Sequence, residues 1–498
     1  MSFLPDAAQR CENYTLDPNT GFKFQYVIAP KDSVTMPGMT ALTLNKWALV
    51  HGDAVHPGLL KDTKGRVFGA LFGTGVDRDG ALVTPDRFSR FNAKGRSFEA
   101  DLEDYLSGIA GRFLLILDSG TKTRIYRDPM GHMPLFYNTK RSIAGSSLYL
   151  AINHGLRGNP ACAPAREYRL STAAVFPMGQ TSDPDVRLMP GNHVLDLADF
   201  TAHRGWPLRN SIRKVTMSKA GPVIDKIATR LRQIVQGWIA ADDVVLPLDA
   251  SAGSRILLAA AGEMRAQIAQ IAVLQPGHAD DPRTLSLSQM MADATDLPLH
   301  ALTRIKAAQT FGRARELRHD RKRLFWLRTS SALRVPPEIT LGLEALYPAG
   351  HLVLNPAGLD ALQGGWHAGH PAPKPVRATQ AAEIAAALAT KPDKPVRDAV
   401  SGDYTHWKSS LPKTLQTQVE DFIRIELHEP AQAVASLGMA DHLPVSPFSD
   451  RTLIDLALKL PLGLRRSAGF AEALITALDP VLAGLPYDAP HLERTAAE

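Results

Sequence analysis

A strand–turn–helix segment in the middle of the chain carries residues of the kind that bind phosphate. Residues 244–248 form a short apolar run, residues 249–253 have the composition of a tight turn, and residues 256–261 continue as an aliphatic helical pattern. Backbone N–H groups in such a turn can approach phosphate oxygens, and hydroxyl or guanidinium groups can add contacts. Ser251, Ser254 and Arg255 carry such groups in this segment.

A second turn, at residues 355–366, follows the short apolar run 352–354 and contains Gly358 and Asp360. Mg²⁺ is commonly bound by one or two carboxylates together with phosphate oxygens, and the carboxylate of Asp360 is a group of that kind. Two simpler interpretations stay open. In the first, Asp360 only caps a helix. In the second, Arg255 is a surface arginine at the start of a helix.

A dense basic segment covers residues 313–328, where eight cationic or potentially cationic side chains face only Glu316 and Asp320. As a helix, this segment places Arg315, His319 and Lys322 on one face. We predict an acidic protein or a phosphate-rich ligand as the partner of this face, whereas a nucleic acid or a merely solvated face are the alternatives. The same helix turns Leu317, Leu324 and Leu327 inward. The candidate partner-binding residues are Arg315, Arg318, Arg321 and Lys322.

The elements that position these residues change in type near residue 212. Before it, short apolar runs between turn residues predict antiparallel strands at 66–72, 112–117, 123–126 and 135–137. After Ser218, apolar residues recur every three or four positions up to Trp238 and predict an amphipathic helix. The apolar runs 244–248, 268–274 and 352–354 alternate with helical patterns, which indicates a parallel sheet. Residues 370–400, rich in Pro and Ala, predict an exposed connection.

Composition limits the class of protein. The chain has 498 residues, of which 45% are hydrophobic and 21% charged, so it should fold into two or three globular domains. A net charge of +6 is a small surplus for this length. Cys11 and Cys162 cannot form a disulfide framework or a four-thiolate site, so we expect a reducing compartment and no zinc. We see no secretory leader and no membrane-spanning run, and expect a cytoplasmic protein that does not bind membranes.

Several blocks of this sequence, in order and spacing, resemble glutamine-dependent asparagine synthetase. In the first half the blocks are Gly111-Arg112-Phe113, Arg127-Asp128-Pro129 with Gly131, residues 134–137 and residues 190–195. In the second half they are residues 248–255, 280–300, 355–366 and Pro447-Phe448-Ser449-Asp450. The resemblance implies an αββα sandwich of the N-terminal-nucleophile hydrolase type at residues 1–212. It implies an α/β ATP-pyrophosphatase-like domain with a parallel sheet at residues 213–498.

The residues that carry the chemistry of that family are changed here. Its members hydrolyse glutamine with a cysteine as residue two, whereas Ser2 is the only nucleophile that this chain offers there. Residues 73–77 replace the Asn-Gly-Glu segment that the family uses for its substrate. The resemblance implies a phosphate-binding loop at residues 248–255, with Asp249, Ser251, Gly253, Ser254 and Arg255 as candidate nucleotide-binding residues. It adds Gly358 and Asp360 from the second signature, with Asp360 as the candidate metal ligand. In the loop, Asp249 replaces a serine and Gly253 replaces the acidic residue that helps to hold Mg²⁺. We therefore predict that glutamine hydrolysis is lost.

Two hypotheses on function remain. The first is a divergent homologue that has lost amide synthesis and works as a binding, assembly or regulatory protein. The second is a ligase that adenylates a carboxylate for an amine other than glutamine-derived ammonia. The resemblance implies ATP and Mg²⁺ as cofactors of such a ligase, held through Ser254, Arg255 and Asp360. The sequence leaves a homo-oligomer open.

Overall fold

Two antiparallel sheets and one parallel sheet organise the chain in a computed structural model. The structure describes residues 3–120, 122–159, 177–210, 212–274, 282–330, 337–364, 394–439, 442 and 444–486. Ser2 and Cys162 lie outside the described residues. Among the described helices, none combines the length and the apolar character needed to cross a membrane.

The first half contains twelve strands within its described residues, in two six-stranded antiparallel sheets. The strands are β1 (Tyr26–Pro30), β2 (Thr40–Leu44), β3 (Trp47–His51), β4 (Gly58–Lys61), β5 (Val67–Val76), β6 (Ala110–Asp118), β7 (Thr123–Arg127), β8 (Phe136–Asn138), β9 (Ile143–Gly145), β10 (Val186–Leu188), β11 (His193–Asp196) and β12 (Thr201–Arg204). The first sheet has the order β10-β8-β9-β1-β3-β2, and the second has β12-β11-β7-β6-β5-β4. The helices are α1 (Asp6–Asn13), α2 (Pro18–Gly21) and α3 (Phe98–Ser107).

The two antiparallel sheets pack face to face, and their central strands β1 and β6 are apolar on both faces. Tyr26 and Ile28 of β1 contact a shared core that includes Leu114 and Ile116 of β6. On the outer face of the second sheet, Leu115 and other residues pack with α3. On the outer face of the first sheet, Val27 and other residues pack with α1. Helices therefore cover both outer faces of this pair of sheets.

The second half is built on a five-stranded parallel sheet of order β15-β14-β13-β16-β17. Its strands are β13 (Val244–Pro247), β14 (Gln270–Leu274), β15 (Leu299–Leu302), β16 (Leu352–Leu354) and β17 (Pro444–Val445). The helices are α4 (Gly221–Ala241), α5 (Ala252–Ala261), α6 (Pro282–Ala294), α7 (Arg304–Phe311), α8 (Arg315–Thr329), α9 (Pro337–Leu346), α10 (Leu359–Leu362), α11 (Lys394–Ser410), α12 (Val419–Ile423), α13 (Glu429–Met439), α14 (Arg451–Lys459), α15 (Leu462–Arg466), α16 (Ala468–Leu478) and α17 (Pro480–Ala483).

The mixed α/β class, antiparallel first and parallel later, is as the sequence predicts, and one local prediction needs correction. The strand predicted at 66–72 continues to Val76, because residues 73–76 also pair with β6. The connection predicted at 370–400 lies outside the described residues up to 393, and α11 begins at Lys394. The change from antiparallel strands to the parallel sheet falls between the end of β12 and the start of α4.

Buried polar contacts join the two halves. Several of them involve residues of the sequence blocks that resemble asparagine synthetase. Ser449 donates its hydroxyl hydrogen bond to Asp128 at 2.8 Å. Arg230 donates from Nη2 to Asp450 at 2.8 Å and from Nη1 to the carbonyl of Asp77 at 2.9 Å. Because all of these side chains are buried, they fix the two halves against each other.

Candidate functional site

The polar groups of the loop after β13 form hydrogen bonds within the loop and with the start of α5. The side chain of Ser251 caps α5 by accepting a hydrogen bond from the Ser254 N–H at 3.2 Å. Asp249 is exposed and accepts from the Ser251 N–H at 3.1 Å. Ala250 adopts a positive φ of 60°, which costs a residue with a Cβ more than it costs a glycine. The hydroxyl of Ser254 is buried and donates to the carbonyl of Ser251.

Arg255 does not extend toward this loop. Its guanidinium is buried and donates to the main-chain carbonyls of Leu485 at 3.0 Å and Pro486 at 2.6 Å. The side chain therefore ties α5 to the segment that follows α17. Both interpretations of Arg255 from the sequence, a phosphate clamp and a surface arginine, miss this structural contact.

The turn after β16 packs directly against the loop after β13. Strand order reverses between β13 and β16, and such a reversal is where parallel sheets bind ligands, at the carboxyl ends of the strands. Here the ring of Pro356 lies beside Gly253. A Cβ added to Gly253 would lie 2.5 Å from the Cβ of Pro356. The space in which a side chain at position 253 would reach a metal is thus filled.

Asp360, the candidate metal ligand, lies in the first turn of α10 and is 72% exposed. Its nearest cationic neighbour is Arg424, whose Nη2 lies 3.8 Å from the carboxylate. Gly358, just before α10, has a φ of 86°, and a Cβ there would lie 2.4 Å from the sulfur of Met130. Across the described residues, no three His, Cys, Asp or Glu side chains come together as a metal site.

The basic segment forms α8, but its cationic side chains do not share one exposed face. Arg315 and Lys322 are exposed, and Arg318 is half-buried. Arg321 is buried and forms an ion pair with Glu344 of α9. Arg328 is also buried and donates to the carbonyl of Gly21 at 3.2 Å.

The predicted orientation of the leucines of α8 is correct for two of three. Leu324 and Leu327 are buried as expected, whereas Leu317 is 50% exposed. The segment therefore combines two buried cations, Arg321 and Arg328, with a smaller exposed patch formed by Arg315, Arg318 and Lys322.

Sequence reasoning missed a cluster of buried charges on a π-helical turn, Arg424–His428, that links α12 to α13. Pro430 has no N–H to donate to the carbonyl of Glu426, and its ring crowds that carbonyl, which accounts for the wider turn. The Glu426 carbonyl instead accepts from the Gly191 N–H of the first half at 2.7 Å. The signal in the sequence is the run RIELHEP, in which charged residues interrupt an apolar helical pattern.

Arg424 and Glu426 of this turn form ion pairs with side chains outside it. Arg204 of β12 binds the carboxylate of Glu426 through both terminal nitrogens, at 2.5 and 2.8 Å. Burial raises the pKa of Glu426, and Arg204 opposes that effect. The carboxylate of Glu429 lies 3.1 Å from Nε of Arg424 and 3.6 Å from Nε2 of His132. Burial acts to raise the pKa of Glu429, but His132 and Arg424 outweigh it and hold that pKa below its usual value.

Arg112 of β6 lines two cavities at the junction of the halves. The smaller, of about 200 Å³, is bounded by His132 and Glu429 together with the start of β17. The larger, of about 420 Å³, opens between β5, β6 and the residues just before β13 and β16. This larger volume is in the range of small-molecule sites. The ionisable side chains that line it are Lys23, His56, Arg112, Asp242, His351 and His442.

No protein-family model and no curated protein sequence matches the chain.

Proposed function

We propose that this chain is a divergent asparagine-synthetase-like protein that has lost amide synthesis and acts by binding. The N-terminal-nucleophile and ATP-pyrophosphatase folds that the resemblance implies belong to this proposal. Paired antiparallel sheets covered by helices, followed by a parallel sheet, are consistent with both. The order of the sequence blocks supports the relationship.

The observation that carries the loss of nucleotide chemistry is the contact between Gly253 and Pro356. A phosphate-binding loop needs room for its ligand at the start of the helix. Here Pro356 lies so close to Gly253 that a Cβ at position 253 would be 2.5 Å from the Cβ of the proline. The hydroxyl of Ser251 is used as the cap of α5, and the guanidinium of Arg255 binds main-chain carbonyls. The ligase hypothesis needs Ser254, Arg255 and Asp360 to hold nucleotide, and these contacts disfavour it.

Thermal unfolding in the presence of ATP and Mg²⁺ tests the proposal. A ligand present at 100 times its dissociation constant adds about 2.7 kcal/mol to the free energy of unfolding, which raises the melting temperature clearly. We expect no shift beyond that given by Mg²⁺ alone, and no pyrophosphate release with aspartate and ammonia. Pyrophosphate release above background with any carboxylate would instead support the ligase hypothesis.

Glutamine hydrolysis is tested separately, because it depends on Ser2 and not on the nucleotide loop. We expect no release of glutamate from glutamine above the rate in buffer. Turnover that disappears in the Ser2→Ala variant would contradict this expectation and identify a hydroxyl nucleophile.

A further inference from the structure

We propose that the cleft between the two halves binds a small organic acid, with its carboxylate held by Arg112 and its apolar body against the walls. This site goes beyond the proposed loss of amide synthesis, because no residue of the nucleotide loop takes part in it.

The first observation is the state of the Arg112 guanidinium. Arg112 is 2% exposed, and its Nη1 donates to the carbonyl of Pro444 at 3.2 Å. Its Nε and Nη2 have no hydrogen-bond partner among the described residues. These two nitrogens form one edge of the guanidinium, and that edge matches the two oxygens of a carboxylate. Leaving such donors buried without a partner is costly, and a bound carboxylate removes that cost.

The second observation is that the chain supplies no carboxylate to this edge. Among the described residues, Arg112 forms no ion pair within 4 Å, and the nearby carboxylate of Asp128 is engaged elsewhere. Asp128 accepts hydrogen bonds from Ser449 and from the N–H groups of His132 and Met133, at 2.8 to 2.9 Å. Burial lowers the pKa of Arg112 to about 10, so the side chain keeps its charge at neutral pH.

The third observation is the lining of the larger cavity. The cationic side chains of Lys23 and Arg112 line it, against the single acidic side chain of Asp242 among its lining residues. This balance favours an anion. The apolar walls include Phe24, Val55, Met133, Leu352 and Val445. A carboxylate with an apolar body fits such a lining better than a fully polar anion does.

Calorimetric titration of the full chain with benzoate, acetate and chloride at equal ionic strength tests the site. We expect saturable binding of benzoate, weaker binding of acetate and none of chloride. Arg112→Gln should weaken benzoate binding at least tenfold. Arg124→Gln, which removes a guanidinium from the neighbouring strand β7, is the matched control and should bind as the wild type does.

A second variant tests the site while leaving Arg112 in place. Thr74 pairs with Arg112 across β5 and β6, and both residues line the larger cavity. Thr74→Glu brings a carboxylate to the same face of the sheet. We expect this variant to lose benzoate binding and to melt at a higher temperature than the wild type without ligand.

The outcomes decide the proposal even if Arg112→Gln does not fold. Absence of saturable benzoate binding by the wild type, at concentrations up to about 10 mM, overturns it. So does benzoate binding of unchanged affinity in a folded Arg112→Gln or Thr74→Glu variant. Because ATP is absent from these titrations, failure here is distinguishable from failure of the proposed loss of amide synthesis.

Discussion

At the scale of single residues, Gly253 tests how tightly the loop after β13 is packed. Gly253→Asp introduces the acidic residue that asparagine synthetases carry in the loop that this segment resembles, but its Cβ would lie 2.5 Å from that of Pro356. We expect a loss of about 1–3 kcal/mol in the free energy of unfolding, the usual cost of overpacking, and no gain of pyrophosphate release.

Urea denaturation compares Gly253→Asp with Gly221→Asp, which also lies in the first turn of a helix. A Cβ at Gly221 meets nothing within 4 Å, so this control should cost much less. Equal stabilities of the two variants would show that Pro356 does not fill the loop.

His193 of β11 makes stability depend on pH. Burial, and next the charge of Arg204, lower the pKa of His193 to about 3 in the folded protein. An unfolded histidine titrates near 6.5, so the unfolded state binds the extra proton as pH falls from about 6.5 to about 3. The folded state should therefore lose about 1.4 kcal/mol per pH unit in this window through His193.

Urea denaturation between pH 4.5 and 7.5 measures this loss. His193→Gln should flatten the slope of unfolding free energy against pH, whereas exposed His203→Gln should not. A His193→Gln slope equal to that of the wild type would contradict a neutral, buried imidazole.

At the scale of secondary structure, α8 separates a structural cation from an exposed patch. Arg321→Glu places a second carboxylate beside Glu344 in a buried site, and we expect a loss of about 3–5 kcal/mol in unfolding free energy. Arg315→Glu, on the exposed side of the same helix, should change that free energy by less than about 0.5 kcal/mol. Similar losses in both variants would refute this division of the helix.

The exposed patch of α8 is tested with a defined acidic probe, a poly-glutamate resin. A triple variant of Arg315, Arg318 and Lys322 to Glu should elute at lower salt than the wild type. The matched control changes exposed Lys61, Lys94 and Lys122 of the first half to Glu and carries the same net charge. Elution of the two variants at the same salt concentration would show that this face of α8 is only solvated and does not bind an acidic partner.

The elements show how far the sequence could predict the fold. Periodicity and apolar runs identify α4, β13 and the order of antiparallel and parallel sheets, because local pattern determines them. The same reasoning places Arg321 on the exposed face of α8, since its burial depends on Glu344 of α9, a contact that no local pattern contains. The π-helical turn at Arg424–His428 was missed for a similar reason, because its charges are buried by partners in the first half.

At the scale of the whole molecule, the ion pair between Arg204 and Glu426 joins the halves. Glu426→Gln leaves the buried Arg204 without the negative charge of its partner. We expect a loss of about 3 kcal/mol or more in unfolding free energy. Asp104→Asn breaks a surface pair with Arg78 and should cost less than about 1 kcal/mol. A smaller loss for Glu426→Gln than for Asp104→Asn would contradict the role of this ion pair.

Equilibrium dialysis of the full chain against radiolabelled ATP with Mg²⁺ tests most directly the central claim, that this protein does not bind nucleotide. The contacts at Gly253, Ser251 and Arg255 predict no saturable binding at concentrations up to about 1 mM. Stoichiometric binding that weakens in Ser254→Ala would contradict the account and place a working nucleotide site at the loop after β13.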